Sequence, residues 1–192
     1  DAAVTLTSVS GDVRAENIGG ELSAESVSGD VTVRQAEKLL RVKSASGDVG
    51  VEGAVSAADL ELGSVSGEVG ARQIRARAVS AESVSGEIRL IGVECDRADI
   101  STVSGDVEYE GRLSPSGRYE LNSHSGDIDL VLPDGTGFEL EAESFSGDIE
   151  SDFELTVHSL EGRNNEVTGV HGDGSALVEI TTFSGDIRLS RK

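Results

Sequence analysis

A chain of 192 residues suffices for one domain with a useful core, but with aromatics at 3% and no Trp that core must be built from Val, Leu, Ile and Ala. The formal charge is −20, and Lys38, Lys43 and Lys192 are the only lysines among 16 basic residues. That balance argues against nucleic acid and against direct binding to anionic membranes, because both are held through Lys and Arg. Cys95 is the only cysteine, so no intramolecular disulfide forms, and within LIGVECDRADI it reads as a small apolar filler. No stretch approaches the ~20 apolar residues of a membrane span, and no signal-peptide pattern opens the chain. With no Met anywhere, the chain reads as a processed piece of something longer, so missing targeting signals say nothing about its parent.

In chain order, one hexapeptide type recurs: SVSGDV at 8 and 26, SASGDV at 44, SVSGEV at 64, SVSGEI at 83, TVSGDV at 102, SHSGDI at 123, SFSGDI at 144 and TFSGDI at 182. Its glycines are Gly11, Gly29, Gly47, Gly67, Gly86, Gly105, Gly126, Gly147 and Gly185, in steps of 18, 18, 20, 19, 19, 21, 21 and 38. A fixed period of this size marks a solenoid in which each repeat is one coil stacked on the next. The long last step divides in two if LTVHSLEGR, residues 155–163, is a degenerate coil around Gly162, with Glu161 for Ser and Arg163 for Asp. The fold expected is all-β, a parallel β-helix or β-solenoid of about ten coils of ~19 residues, one domain over residues 1–192.

Alignment on the glycines resolves the coil into columns. Seven positions before Gly stand Val4, Leu22, Leu40, Leu60, Val79, Ala98, Tyr119, Leu140, Leu155 and Val178, and five before it Leu6, Ala24, Val42, Leu62, Ala81, Ile100, Leu121, Ala142, Val157 and Ile180. Both columns face inward. The polar column between them, from Thr5 to Glu179, faces water, which is the period-two signal of a strand. Alternation resumes at Val13, Val31, Val49, Val69, Ile88, Val107, Ile128, Ile149 and Ile187. Each coil is therefore expected to hold two strands around a tight corner, followed by a short variable connection, and no segment shows sustained helical periodicity.

The hexapeptide suits a corner. Gly supplies φ > 0, an adjacent Asp accepts backbone N–H bonds in an Asx-type turn, and the Ser or Thr three before Gly stacks as a semi-buried polar ladder. The column two before Gly, which includes Val65, Val84 and Val103, is expected to turn inward with the corner; outward, it would be an apolar ridge and a binding face. Stacked in register at ~4.8 Å, the turn carboxylates from Asp48 to Asp127 are expected to repel one another more than turn hydrogen bonds offset.

The recurring SVSGDV and FSGDI turns, with the closing LVEITTFSGDIRL, resemble the bacterial adhesin-like β-strand-repeat family, domains of unknown function, over nearly the whole chain. The resemblance implies a right-handed parallel β-helix in an exported, cell-envelope or extracellular protein. It implies no catalytic residues, since the family has none established.

Residues that bear chemistry are sparse. His124 occupies the column two before Gly, so Ser, His and Asp of SHSGD are repeat positions rather than a triad. His158, and His171 with Asp173 in GVHGDGSA, have weak spacing for a metal site, and a plain loop is expected. The acidic turn residues Asp12, Asp30, Asp48, Glu68, Glu87, Asp106, Asp127, Asp148 and Asp186 lack the paired glycines of calcium-binding β-rolls, so turn capping is expected. No catalytic, cofactor-binding or metal-ligating residue is assigned, and no cofactor is expected. The leading expectation is a non-enzymatic structural or adhesive module with an unknown surface or envelope ligand. The alternatives are a carbohydrate-binding or carbohydrate-active β-helix, for which only Tyr109 and Tyr119 could stack on sugars, and a scaffold that self-associates through its end coils.

Overall fold

The computed structural model describes residues 3–159 and 165–192. Within them lie β1 (Val4–Ser8), β2 (Val13–Ser28), β3 (Val31–Ser46), β4 (Val49–Glu52), β5 (Asp59–Ser64), β6 (Val69–Arg72), β7 (Ala78–Ser85), β8 (Ile88–Ser104), β9 (Val107–Ser125), β10 (Ile128–Leu132), β11 (Phe138–Ser146), β12 (Ile149–Ser151), β13 (Thr156–Ser159), β14 (Glu166–His171), β15 (Ala176–Ser184) and β16 (Ile187–Arg191), and no helix. The pairings are parallel and in register from coil to coil, as with Val4↔Leu22 and Leu6↔Ala24 or Val31↔Val49 and Val33↔Val51. The protein is a β-solenoid.

The apolar columns fill the interior, from Leu22 and Ala24 to Val178 and Ile180 before the corner and from Val13 to Ile187 after it. One position differs. Leu39, not Leu40, enters the core, because the register between β2 and β3 shifts after Leu22↔Leu39. The variable connection is also more ordered than two strands per coil implies. A short third ladder runs through Ile18↔Ala36, Val55↔Arg75, Arg75↔Glu94 and Cys95↔Leu113. A second corner precedes it, six residues past each of the first five corner glycines, where Asn17, Gln35, Gly53, Gln73 and Gly92 share φ between 54° and 68°. Asn and Gly tolerate this left-handed conformation readily; Gln does so at some cost.

The stacking order departs from chain order at one end. Corners Gly11, Gly29, Gly47, Gly67, Gly86, Gly105 and Gly126 follow one another, each against the backbone of its predecessor. On Gly126 sits Gly185, and on Gly185 sits Gly147. Strand pairing agrees: β15 lies between β9 and β11, and β16 between β10 and β12. The last coil of the chain is thus interleaved one place before the end of the stack. Beyond β11 the sheet continues antiparallel, through β14 to β13. The expected degenerate coil at 155–163 is therefore corrected: β13 belongs to an antiparallel hairpin covering the edge of β11, while Gly162 and its flanking residues lie outside the described residues. Nine SGD or SGE corners form the stack named above, seven of them in chain order, rather than about ten coils.

Candidate functional site: an apolar ridge beside the corner ladder

The corners interlock by three contacts. The Ser or Thr three before Gly is buried, and its hydroxyl donates to the carbonyl of the preceding corner Gly, as from Ser44 to Gly29 (3.0 Å), Ser64 to Gly47 (2.9 Å) and Ser144 to Gly185 (3.0 Å). From Gly29 onward the corner Gly has no room for a side chain. A Cβ on Gly86 would overlap the carbonyl oxygen of Gly67, and φ there is not in the left-handed range, so glycine is required by close stacking rather than by turn conformation. Finally, each Asp carboxylate accepts the backbone N–H of the next corner's acidic residue, as Asp30 does from Asp48 (3.0 Å), Asp48 from Glu68 (2.8 Å) and Asp127 from Asp186 (2.9 Å). The Asx-type bond expected within one turn is made between turns. The repulsion expected along the row is thus met by a donor at each Asp step.

Where Glu replaces Asp the ladder changes hands. Among the described residues no carboxylate–amide bond joins Glu68 to Glu87 or Glu87 to Asp106. Arg89 instead bonds Glu68 (3.2 Å), Glu87 and Glu108 (2.7 Å). The hydroxyls of Ser83 and Thr102, which follow these two corners, have no hydrogen-bond partner among the described residues. The longer carboxylate overshoots the amide, and an arginine clip takes its place.

The column two before Gly faces solvent, which overturns the inward expectation. Val9, Val27, Val65, Val84, Val103, Phe183 and Phe145 are exposed by 46% to 73%. The reason lies in the strand. Alternation runs unbroken up to the corner, so the buried slot falls to Ser or Thr three before Gly, whose hydroxyl bonds the preceding corner except at Ser83 and Thr102, and the next residue must point out. Ala45 and exposed His124 complete the column. The result is an apolar ridge along the rod.

One end of the ridge is aromatic, and interleaving sets the order of its rings. Phe183 is stacked on His124 (centroids 5.0 Å apart, 15° between planes) and on Phe145 (4.7 Å, 4°). In chain order Phe145 would be the middle ring; interleaving puts Phe183 between the other two. On the outer face beside these rings, β9, β15, β11 and β14 form a shallow cleft lined by Glu120, Glu179, Glu141, Glu143 and Glu166, with Arg118 the one cation among its described lining residues. Arg118 is paired with Glu179 (2.5 Å). On the other side run the corner carboxylates Asp127, Asp186 and Asp148, with Arg188 against Asp186 (3.2 Å) and Asp127 (3.7 Å).

Other sequence candidates fall elsewhere. Tyr109 and Tyr119 are fully buried, ring edge to face at 5.9 Å, so neither offers a sugar platform. Tyr119 donates its hydroxyl to the Cys95 carbonyl and accepts the Ser114 N–H at 2.7 Å. Burial pushes the Cys95 thiol up to about 11 and Tyr119 up to about 12, and raises Tyr109 well above its usual value, so Cys95 is a packed filler and a poor nucleophile. His171 contacts the backbone oxygen of Glu154 through Nδ1 (2.9 Å) and packs near Phe153 and Phe138. Asp173 accepts the Ser175 N–H (3.1 Å), and the side chain of His158 lies outside the described residues. Partial burial, with Glu120 and Glu82 nearby, raises the Asp99 carboxyl, whereas the hydrogen bond from Arg77 lowers Asp59.

Residues 20–190 match the family model of the Toastrack DUF4097 domain, and the chain belongs to that family, a domain family of unknown function. Neither the curated proteins nor the solved structures contain a match.

Proposed function

We propose that this domain is a non-enzymatic rod of a bacterial cell-envelope or surface protein, structural in its stacked coils and adhesive along its corner ridge. The observation that carries the reading is the ridge. An ordinary soluble surface scatters its apolar side chains, while contiguous exposed apolar patches mark interaction sites. Here Val65, Val84 and Val103 recur at the same position of successive coils, about half exposed. Regularity from Gly11 to Gly126 supports the non-enzymatic part, since a β-helix that houses catalysis departs from its repeat to build a cleft.

The test is a triple variant, Val65→Ser, Val84→Ser and Val103→Ser. These side chains stay about half exposed in the fold, so thermal stability should stay within about 1 kcal/mol of the parent. Retention of the purified domain on bacterial envelope fractions should fall. Unchanged retention with an intact fold would rule out the ridge as the adhesive face.

A further inference from the structure

We propose that the aromatic end of the ridge, His124, Phe183 and Phe145, docks a cationic, apolar-bearing polypeptide segment of a partner protein. This rests on the ridge as a docking face and specifies what that face accepts.

Two observations choose the partner's chemistry. The first is the stack itself, with Phe145 at 69% and Phe183 at 49% exposure, the largest apolar surface on the ridge. Stacking covers both faces of Phe183, so the exposed ring edges take apolar side chains, while Phe145, at the end of the stack and the more exposed ring, attracts guanidinium or ammonium groups through its quadrupole. The second is the charge on both flanks. Glu141, Glu143 and Glu166 line the cleft on one side, and Asp127, Asp186 and Asp148 follow the corner on the other. Arg118 is engaged with Glu179, and Arg188 is spread over Asp127, Asp129, Glu150 and Asp186. The rings therefore lie between two rows of carboxylates, and only a partner that carries positive charge gains on both sides.

The same arrangement argues against the other occupants. A second copy laid ridge to ridge would bring carboxylate rows together, at about 1 kcal/mol per close pair even in water. An anionic lipid surface or nucleic acid meets the same repulsion. The middle of the ridge differs: beside Val65 and Val84 stand Lys43, Gly63, Glu82 and Ser101, a mixed and smaller set.

A synthetic peptide alternating Lys and Leu with a single Trp is a suitable probe, because the protein has no Trp and all indole emission reports the peptide. At physiological salt the parent should give a saturable blue shift. Phe145→Ser with Phe183→Ser should weaken binding by about tenfold or more, and Glu141→Gln with Glu143→Gln should weaken it by about threefold or more. Val9→Ser with Val27→Ser, at the opposite end, should leave it unchanged. Equal affinity of all variants would reduce the effect to general attraction by a −20 chain and overturn the proposal. So would equal binding of a peptide with Gln for every Lys, or sedimentation showing that the two phenylalanines hold a dimer. Because the mid-ridge triple variant is read by envelope retention, loss of peptide binding at the aromatic end with unchanged mid-ridge retention removes only the ridge-wide reading. The reverse pattern removes only this site.

Discussion

From Gly11 to Gly126 every corner rests on the one before it in the chain, whereas the last corners stack in the order Gly126, Gly185, Gly147. Both regions use the same local contacts: Thr182 donates to the Gly126 carbonyl and Asp127 accepts the Asp186 N–H as an ordinary coil would. What differs is which coil is the neighbour. A corner code repeated so closely makes each coil a fit for any other, so chain order is set by the connections, and the segment from Pro133 to Ser175 leaves a place for the last coil to enter. Interleaving brings Phe183 between His124 and Phe145.

The largest expected effect comes from removing the interleaved coil. Deletion of residues 176–192 leaves β9 and β10 without their next neighbours and separates β11 and β12 from the stack. Amide protection of β11 and β12 should collapse, by on the order of 3 kcal/mol or more, while β2 to β8 keep theirs. Deletion of residues 1–12 removes only β1 and its corner, and protection loss should stop at β2. Equal effects of the two deletions would erase the distinction between the regions.

Within the chain-ordered region, Gly86→Ala should cost about 2–3 kcal/mol, because its Cβ has to displace the Gly67 backbone. Gly50→Ala meets nothing within 4 Å and should stay within about 0.5 kcal/mol. Thermal melts of the two separate close stacking from a general intolerance of side chains at glycine positions.

The region's buried cluster sets an alkaline limit. Cys95 is raised to about 11, above its ordinary 9.0, mainly by burial, so the fold favours the neutral thiol while the unfolded chain ionises first. Stability should therefore fall as pH rises from about 9 to 11, by roughly 2 kcal/mol, with Tyr119 and Tyr109 extending the loss. Cys95→Ala should flatten the first part of that decline in melts across the range. A decline of unchanged size would place the alkaline sensitivity elsewhere.

A smaller effect distinguishes the two corner types. Asp48→Ala removes the acceptor of the Glu68 N–H and should cost about 1 kcal/mol. Glu87→Ala removes only one arm of the Arg89 clip, since Glu68 and Glu108 remain, and should cost less than about 0.5 kcal/mol. Equal costs would mean that the inter-turn amide bond adds nothing.

The parallel stack, the inward columns and the polar Ser and Thr ladder were legible in the sequence because each is a local rule repeated many times. Three features were not. The outward ridge is hidden because a turn-like SVSG suggests a corner that begins at the valine, whereas the hydroxyl of Ser26 or Ser44 makes the inward position good for a small polar residue. The second corner was hidden because Asn17, Gln35, Gly53, Gln73 and Gly92 share a conformation and not a residue type; their constant offset from the corner Gly was the available signal. Interleaving left no trace in column statistics, since Gly185 aligns as well beside Gly126 as beside any other corner. The unusual step of 38 was the only hint that residues between Gly147 and Gly185 do something other than make coils.

Cysteine pairs on the exposed column test the stacking order, and with it the aromatic site, most directly. Adjacent coils bring equivalent positions to about 5 Å, within disulfide reach, while coils two apart stand at roughly 10 Å, beyond it. Native Cys95 is buried and should remain silent. Mild oxidation should link His124→Cys with Phe183→Cys, and Phe183→Cys with Phe145→Cys, but not His124→Cys with Phe145→Cys. Efficient linkage of the last pair, with none between His124→Cys and Phe183→Cys, would mean that the coils stack in chain order and that Phe183 does not sit between the other two rings.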